Sequence, residues 1–269
     1  MMHLPKPNNW ASALRSFPIG AAIAGFVAIA WLLATAKAYN LHLGVAFLVL
    51  AYSGTFLVYT IDKLPFLSPE DAFNNAKHRS AFGLLFWAAC SWVVTFICVF
   101  WLPFSVWYYL FIPTVLALMY VYPLIFGKRI KAFGVIKPFW IVFAWGFSGV
   151  ILPFWIAQTP LFLGLIWVVL YRAIYILPNI LILDYLDRAG DASNGIKTPF
   201  QKCTLAQMRG VMGLFALVGY VLWLQTAFPV VDYIGLVVLS AFGSLVSPSS
   251  MYRHGMDLLV AWPILGYVF

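Results

Sequence analysis

Acidic side chains are scarce in this chain: eight Asp and Glu stand among 269 residues, against sixteen Lys and Arg. Charged residues of both signs make up 9% of the sequence, where a soluble domain averages roughly 25%. That shortage excludes a water-soluble globule, because a chain that is 64% hydrophobic, with a mean hydropathy of +0.94, has too little polar surface to cover its apolar bulk. Cysteine is equally thin. Cys90, Cys98 and Cys203 form neither a disulfide framework nor a metal-ligand spacing, and read as small apolar residues. Linkers and low-complexity segments are missing, which leaves a single domain over residues 1–269. No small-residue cleavage site follows Lys6 and Arg15, so the first apolar run reads as an uncleaved span. The short alternating strands of a membrane β-barrel are absent too. No nucleic-acid partner is expected.

What is present is a near-continuous series of apolar runs, each close to the roughly 20 residues that a spanning helix needs. The expectation is an all-α polytopic membrane protein with nine transmembrane helices, at about 18–36, 42–62, 82–102, 104–125, 138–157, 160–183, 210–227, 229–248 and 254–269. Pro18, Pro103, Pro138, Pro160 and Pro229 punctuate them. The bases alternate with these runs. Fourteen of the sixteen fall before the first span, after the second, fourth and sixth, or before the ninth; Lys37 lies opposite and Arg172 within a span. The positive-inside rule then places the N-terminus in the cytoplasm and the C-terminus outside. The expected location is an integral membrane protein of the bacterial cytoplasmic membrane, its basic loops meeting anionic lipid.

Topology explains the bases but not the acids. Asp62, Glu70, Asp71, Asp184, Asp187 and Asp191 share the basic face, and only Asp232 and Asp257 lie elsewhere. In "NILILDYLDRAGDASNGIKTP" (179–199), Asp184, Asp187 and Asp191 stand at i, i+3 and i+7, on one face of a helix. Like charges repel there, and the C-terminal end of a helix disfavours anions. Either the end is solvated, with Arg188 pairing locally, or a cation offsets the carboxylates. Mg²⁺ suits the second case, since it takes carboxylate oxygen and bridges to phosphates. The second span closes on Asp62. After it, Ser68-Pro69-Glu70-Asp71 reads equally as a helix start, with Ser68 as cap. Helix, acid, polar segment and bases thus occur twice, four helices apart, as an internal duplication with a site between its halves would place them.

This pattern resembles the UbiA-type intramembrane prenyltransferases, nine-helix proteins with Asp-rich motifs after helices two and six. "DRAGD" (187–191), followed by Gly195 and Thr198, looks like the family's second motif, with Asp184 as an upstream acid. "YVYPLIFGKRIK" (120–131) is similar to its Tyr-Pro segment and following bases. The first motif departs: aligned on Asp62, Val58, Tyr59 and Phe66 stand where the family has Asn, Asp and Asp. The resemblance implies a bundle whose central cavity opens to the cytoplasmic side. It implies Mg²⁺-dependent transfer of an isoprenyl group from an isoprenyl diphosphate to an aromatic or other lipophilic acceptor. Asp62, Asp187 and Asp191 would be catalytic. The metal would be held by Asp62, Asp184, Asp187 and Asp191, with Glu70 and Asp71 as further ligands. Arg79, Lys128, Arg129 and Lys197 would bind the diphosphate.

Trp140, Trp145, Phe154, Trp167, Tyr171 and Tyr175 are candidate linings for an isoprenoid and its allylic cation, or ordinary lipid-facing rings. Arg172, an ionisable residue within a span, lies about 18 Å along the helix from Asp184 and pairs with Asp232 or snorkels outward; Asn179, a turn below Asp184, reaches the cavity or a neighbouring helix. The weak first motif also fits a relative that has lost or changed catalysis, acting as a lipid-binding or partner subunit. A cation transporter fits less well, because the acids lie at one face and not at mid-depth.

Overall fold

A computed structural model describes residues 14, 16–64, 81–124, 128–193, 195–198, 202–247 and 249–267. Among them seven helices are long and apolar enough to cross a bilayer: α1 (Ile19–Ala38), α2 (Val45–Asp62), α3 (Ala81–Trp101), α4 (Phe104–Val121), α5 (Ile136–Ile156), α6 (Leu165–Ser193) and α7 (Leu205–Trp223). Two shorter helices follow, α8 (Val230–Gly243) and α9 (Ser250–Leu259). No strand occurs among the described residues.

The helix starts follow local chemistry. Pro18, Pro103 and Pro229 stand at the caps of α1, α4 and α8. Thr204 and Gln207 close a capping box on α7, and Ser249 accepts from the Tyr252 N–H at the start of α9. The last two expected spans come out shorter. α8 has 14 residues and ends at Gly243. α9 has ten, carries Arg253, His254 and Asp257, and gives way to a 3₁₀ turn at Trp262–Tyr267 that contains Pro263. Proline supplies no N–H to continue an α-helix. α6 differs in the opposite sense. It runs ten residues beyond the expected end at 183 and so carries all three acids of its motif within one helix.

α1 and α6 form the centre. α1 is lined with small residues, among them Ala21, Ala24, Gly25, Ala28 and Ala34, all buried, which lets neighbouring backbones approach closely. α2 packs against α1 and α3, and α6 touches α5, α7, α8 and α9. Exposed rings such as Phe96, Phe100, Phe104 and Phe111 coat α3 and α4, a surface suited to lipid.

One junction fixes α1 against α5. Pro153 has no N–H to offer the carbonyl of Gly149, four residues back. The helix widens to π geometry over Phe147–Ile151, and the Thr35 hydroxyl donates to the Gly149 carbonyl at 2.8 Å. A Cβ on Gly149 would meet the Trp31 ring at 3.0 Å, so glycine is what admits Trp31 there.

Candidate active site

α6 ends in a way that presents its carboxylates. Gly195 adopts φ +71°, its N–H bonds to the Ala192 carbonyl at 3.1 Å, and the Ile196 N–H returns to the Asp191 carbonyl at 2.8 Å. This is a Schellman closure, which needs a left-handed residue that glycine supplies without strain. Ile196 and Thr198 are buried beyond the turn. Gly134 lies so close to this segment that a Cβ would stand 2.2 Å from the Lys197 carbonyl oxygen. The chain around the start of α5 is thereby docked on the segment that follows α6.

A polar cavity of about 240 Å³ opens among these ends. Asp62 and Lys63 enter it from the end of α2, Lys131 from the 3₁₀ turn Ile130–Ala132, and Lys137 from the start of α5. α6 adds Asn179, Asp184, Asp187 and Asp191, and α9 adds Arg253, His254 and Asp257. The four motif carboxylates expected to act together therefore share one chamber. A solvated helix end is ruled out for two of them: Asp184 is 2% and Asp191 4% exposed. Nor does Arg188 serve as the local partner; it donates to the Tyr185 carbonyl at 2.9 Å and covers the Tyr185 ring.

Asp62, Asp184 and Asp187 each meet a base from another element. Lys131 Nζ is 2.6 Å from Asp62, with Arg129 at 3.4 Å. Lys137 Nζ lies 2.5 Å from Asp184 Oδ1 and in the field of Asp187 and Asp191. Arg253 Nη1 is 2.7 Å from Asp187. Asp184 Oδ2 is buried without a hydrogen bond. Deeper in the chamber, Asn179 Nδ2 donates to Asp257 Oδ1 at 3.1 Å. Burial pushes the Asp257 carboxyl up to about 6, against the opposing pull of Asn179, Lys63 and Arg253.

Of the residues expected to bind diphosphate, Arg129 stands beside Asp62, whereas Lys128 and Lys197 are exposed and outside the chamber lining. Arg79, Glu70 and Asp71 lie outside the described residues. The chamber bases are Lys63, Lys131, Lys137 and Arg253. In the sequence Lys63, Lys137 and Arg253 read as topology signals, and Lys131 also closes the 120–131 segment. One clue was available for Lys137: a base in the first turn of α5 opposes the helix dipole and calls for a nearby anion.

Beside the polar chamber lies an apolar one of about 560 Å³, between α2, α4 and α5. Tyr59, Tyr120, Ile141 and Trp145 line both. Trp140 and Trp145 line the apolar chamber. Phe154, Tyr171 and Tyr175 pack in the core instead, and Trp167 is 42% exposed. Tyr171 and Tyr175 surround Arg172, which pairs with Asp232 at 2.9 Å. The Arg172–Asp232 pair is fully buried and belongs to packing.

The donors fit Mg²⁺ in kind. Among the described residues no three His, Cys, Asp or Glu side chains converge on one point. Mg²⁺ nevertheless commonly uses only one or two carboxylates and completes its shell with water and phosphate. Asp184, with one buried oxygen lacking a hydrogen bond, and its helix-face neighbours Asp187 and Asp191 meet that requirement, as does Asp62 across the chamber. No protein-family model, curated protein or solved structure matches the chain.

Proposed function

We propose that the protein transfers an isoprenyl group from an isoprenyl diphosphate to a lipophilic acceptor within the membrane. The observation that carries this reading is the pair of joined cavities, one charged and one apolar, meeting at Tyr59, Tyr120, Ile141 and Trp145. An amphiphile with a polyanionic head and a hydrocarbon tail fits that division. The apolar volume lies within the roughly 300–1,000 Å³ of ordinary ligand pockets. Among the described residues seven helices are long and apolar enough to span, with two shorter ones after them, and a many-helix membrane bundle is compatible with the UbiA-type resemblance. The charge asymmetry supports a cytoplasmic N-terminus, which puts the chamber at the cytoplasmic side, where soluble diphosphates are made.

In this reading Asp62, Asp184, Asp187 and Asp191 hold Mg²⁺, which when bound neutralises charge developing on the leaving diphosphate. Lys131, Lys137 and Arg253 supply further positive charge to the same group. The allylic C–O bond breaks, and its electron pair leaves with the diphosphate. Trp145 and Tyr59 stand at the junction, where an aromatic ring can stabilise an allylic cation. The apolar chamber holds the tail and keeps water from the cation. The acceptor then attacks and gives up a proton.

A second reading is a lipid-binding or partner subunit without catalysis, favoured by Tyr59 in the place of an acid in the first motif. Binding and turnover of radiolabelled geranyl, farnesyl and geranylgeranyl diphosphate, with and without Mg²⁺, separates the two. Metal-dependent binding abolished by Asp187→Ala and Asp191→Ala supports the diphosphate site, and turnover supports the enzyme. Binding without turnover leaves the subunit reading, and no binding at millimolar Mg²⁺ refutes the site.

A further inference from the structure

The chamber's charges pose a problem for any ligand. Five carboxylates line it, Asp62, Asp184, Asp187, Asp191 and Asp257, against four bases, Lys63, Lys131, Lys137 and Arg253. Three of these bases are each closed on a different acid, at 2.5–2.7 Å. The Lys131–Asp62 pair is buried on both sides, with 6% and 9% side-chain exposure, and Asp184 in the Lys137 pair is 3% exposed.

A divalent cation arriving alone has to dislodge an ammonium from its carboxylate. That ammonium is then left buried, unpaired and next to a dication, a strongly unfavourable arrangement for a desolvated charge. A diphosphate arriving alone meets the carboxylates, and the bases that could receive it are already engaged. Arriving together, the two ligands resolve the conflict. The cation takes the carboxylates, the bases turn to phosphate oxygens, and every charge keeps an opposite neighbour. Asp184 is built for the change: Oδ1 holds Lys137, while Oδ2 is buried without a hydrogen bond.

Resting on the diphosphate site proposed above, we infer that Lys131, Lys137 and Arg253 are exchangeable counter-ions, which hold the acids until a divalent cation and a diphosphate bind as one unit. Two of the three are lysines, whose ammonium is a point charge on a flexible stem, able to change partner by rotation. The three bases come from three elements, the 3₁₀ turn, α5 and α9. Their release therefore frees contacts at the end of α2 and along α6 at once.

Titration calorimetry on the full chain in detergent tests this, using Mg²⁺ alone, inorganic diphosphate alone, and each in the presence of the other. Allowance is made for the complex that the two form in solution. In the wild type, each ligand should raise the affinity of the other by about 5- to 150-fold, the usual range for coupled sites. Lys137→Met should change the two affinities in opposite directions: Mg²⁺ alone binds more tightly, because Asp184 is released, and diphosphate at saturating Mg²⁺ binds more weakly. Lys131→Met should do the same through Asp62, and serves where the first variant does not fold. Lys37→Met, at the far end of α1, should change neither. Coupling absent from the wild type overturns the exchange. So does Lys137→Met weakening both ligands alike or leaving both unchanged. If the wild type binds no diphosphate at any Mg²⁺ concentration, the underlying site falls with it.

Discussion

Replacing Asp232 by Leu should be among the most damaging single changes in the protein, although it lies far from the acid chamber. Asp232 and Arg172 have no exposed side-chain surface, and they meet at two points, Nη2–Oδ2 at 2.9 Å and Nη1–Oδ1 at 3.0 Å. Tyr171 donates its hydroxyl to the same carboxylate at 2.9 Å. The guanidinium carbon lies 3.9 Å from the centre of the Phe228 ring and 5.3 Å from that of Trp31. Removing one partner of such a pair costs about 3–5 kcal/mol, because the other charge stays buried and unpaired. Replacing both, as in Arg172→Met with Asp232→Leu, should return the loss to within about 1 kcal/mol, since two apolar groups need no partner. Denaturant unfolding in detergent, followed by tryptophan fluorescence, measures both variants and the Arg172→Met single. Diphosphate binding by the folded double variant should be unchanged, the pair lying about 18 Å along α6 from Asp184. A loss below about 1 kcal/mol for Asp232→Leu, or a double variant whose loss equals the sum of the singles, refutes the account of the pair as a closed, mutually compensating unit.

Two further perturbations separate causes that lie close together in the chain. Gly195→Ala should cost about 1–2 kcal/mol from its left-handed backbone alone, since a Cβ there touches nothing. Gly134→Ala, whose Cβ would run into the Lys197 backbone, should unfold the protein more severely and abolish diphosphate binding; equal thermal shifts in the two variants would contradict this. Asp257 makes stability depend on pH. Its carboxyl sits at about 6, above its ordinary 3.8, so the folded state binds the proton more readily than the unfolded chain does. This contribution therefore falls as pH rises from about 4 through 6, by on the order of 3 kcal/mol in total. Asp257→Asn should remove that part of the pH dependence in a thermal-shift series, and an unaltered profile would show that the group titrates normally.

Long apolar runs were readable because length and hydropathy decide a spanning helix locally. The acids at 184, 187 and 191 were readable because helical spacing puts them on one face. The C-terminal region was less so. Averaging over 254–269 mixes an apolar tail with a polar start, and the expected span conceals a short helix whose Arg253 and Asp257 face the chamber. No local pattern tells that α9 comes to lie beside α6, which requires tertiary packing between residues 78 positions apart, Asn179 and Asp257.

The chamber bases escaped for a different reason. Lys131 and Lys137 already had a sufficient explanation in topology, and that explanation concealed a second one. Both signs of charge are placed here against their helices. Asp62 and Asp191 sit where α2 and α6 end, facing the negative pole of the dipole, and Lys137 sits where α5 begins, facing the positive one. Each placement is unfavourable for its own helix, by up to about 1 kcal/mol near the surface. The cost is offset in the fold: Lys137 meets Asp184 and lies in the field of Asp191, and Asp62 meets Lys131 of the 3₁₀ turn before α5. Charges of opposite sign set against the dipole in separate helices are thus a signal of convergence. Here that signal points to Lys137, 47 residues from Asp184 in sequence and in direct contact with it in the fold.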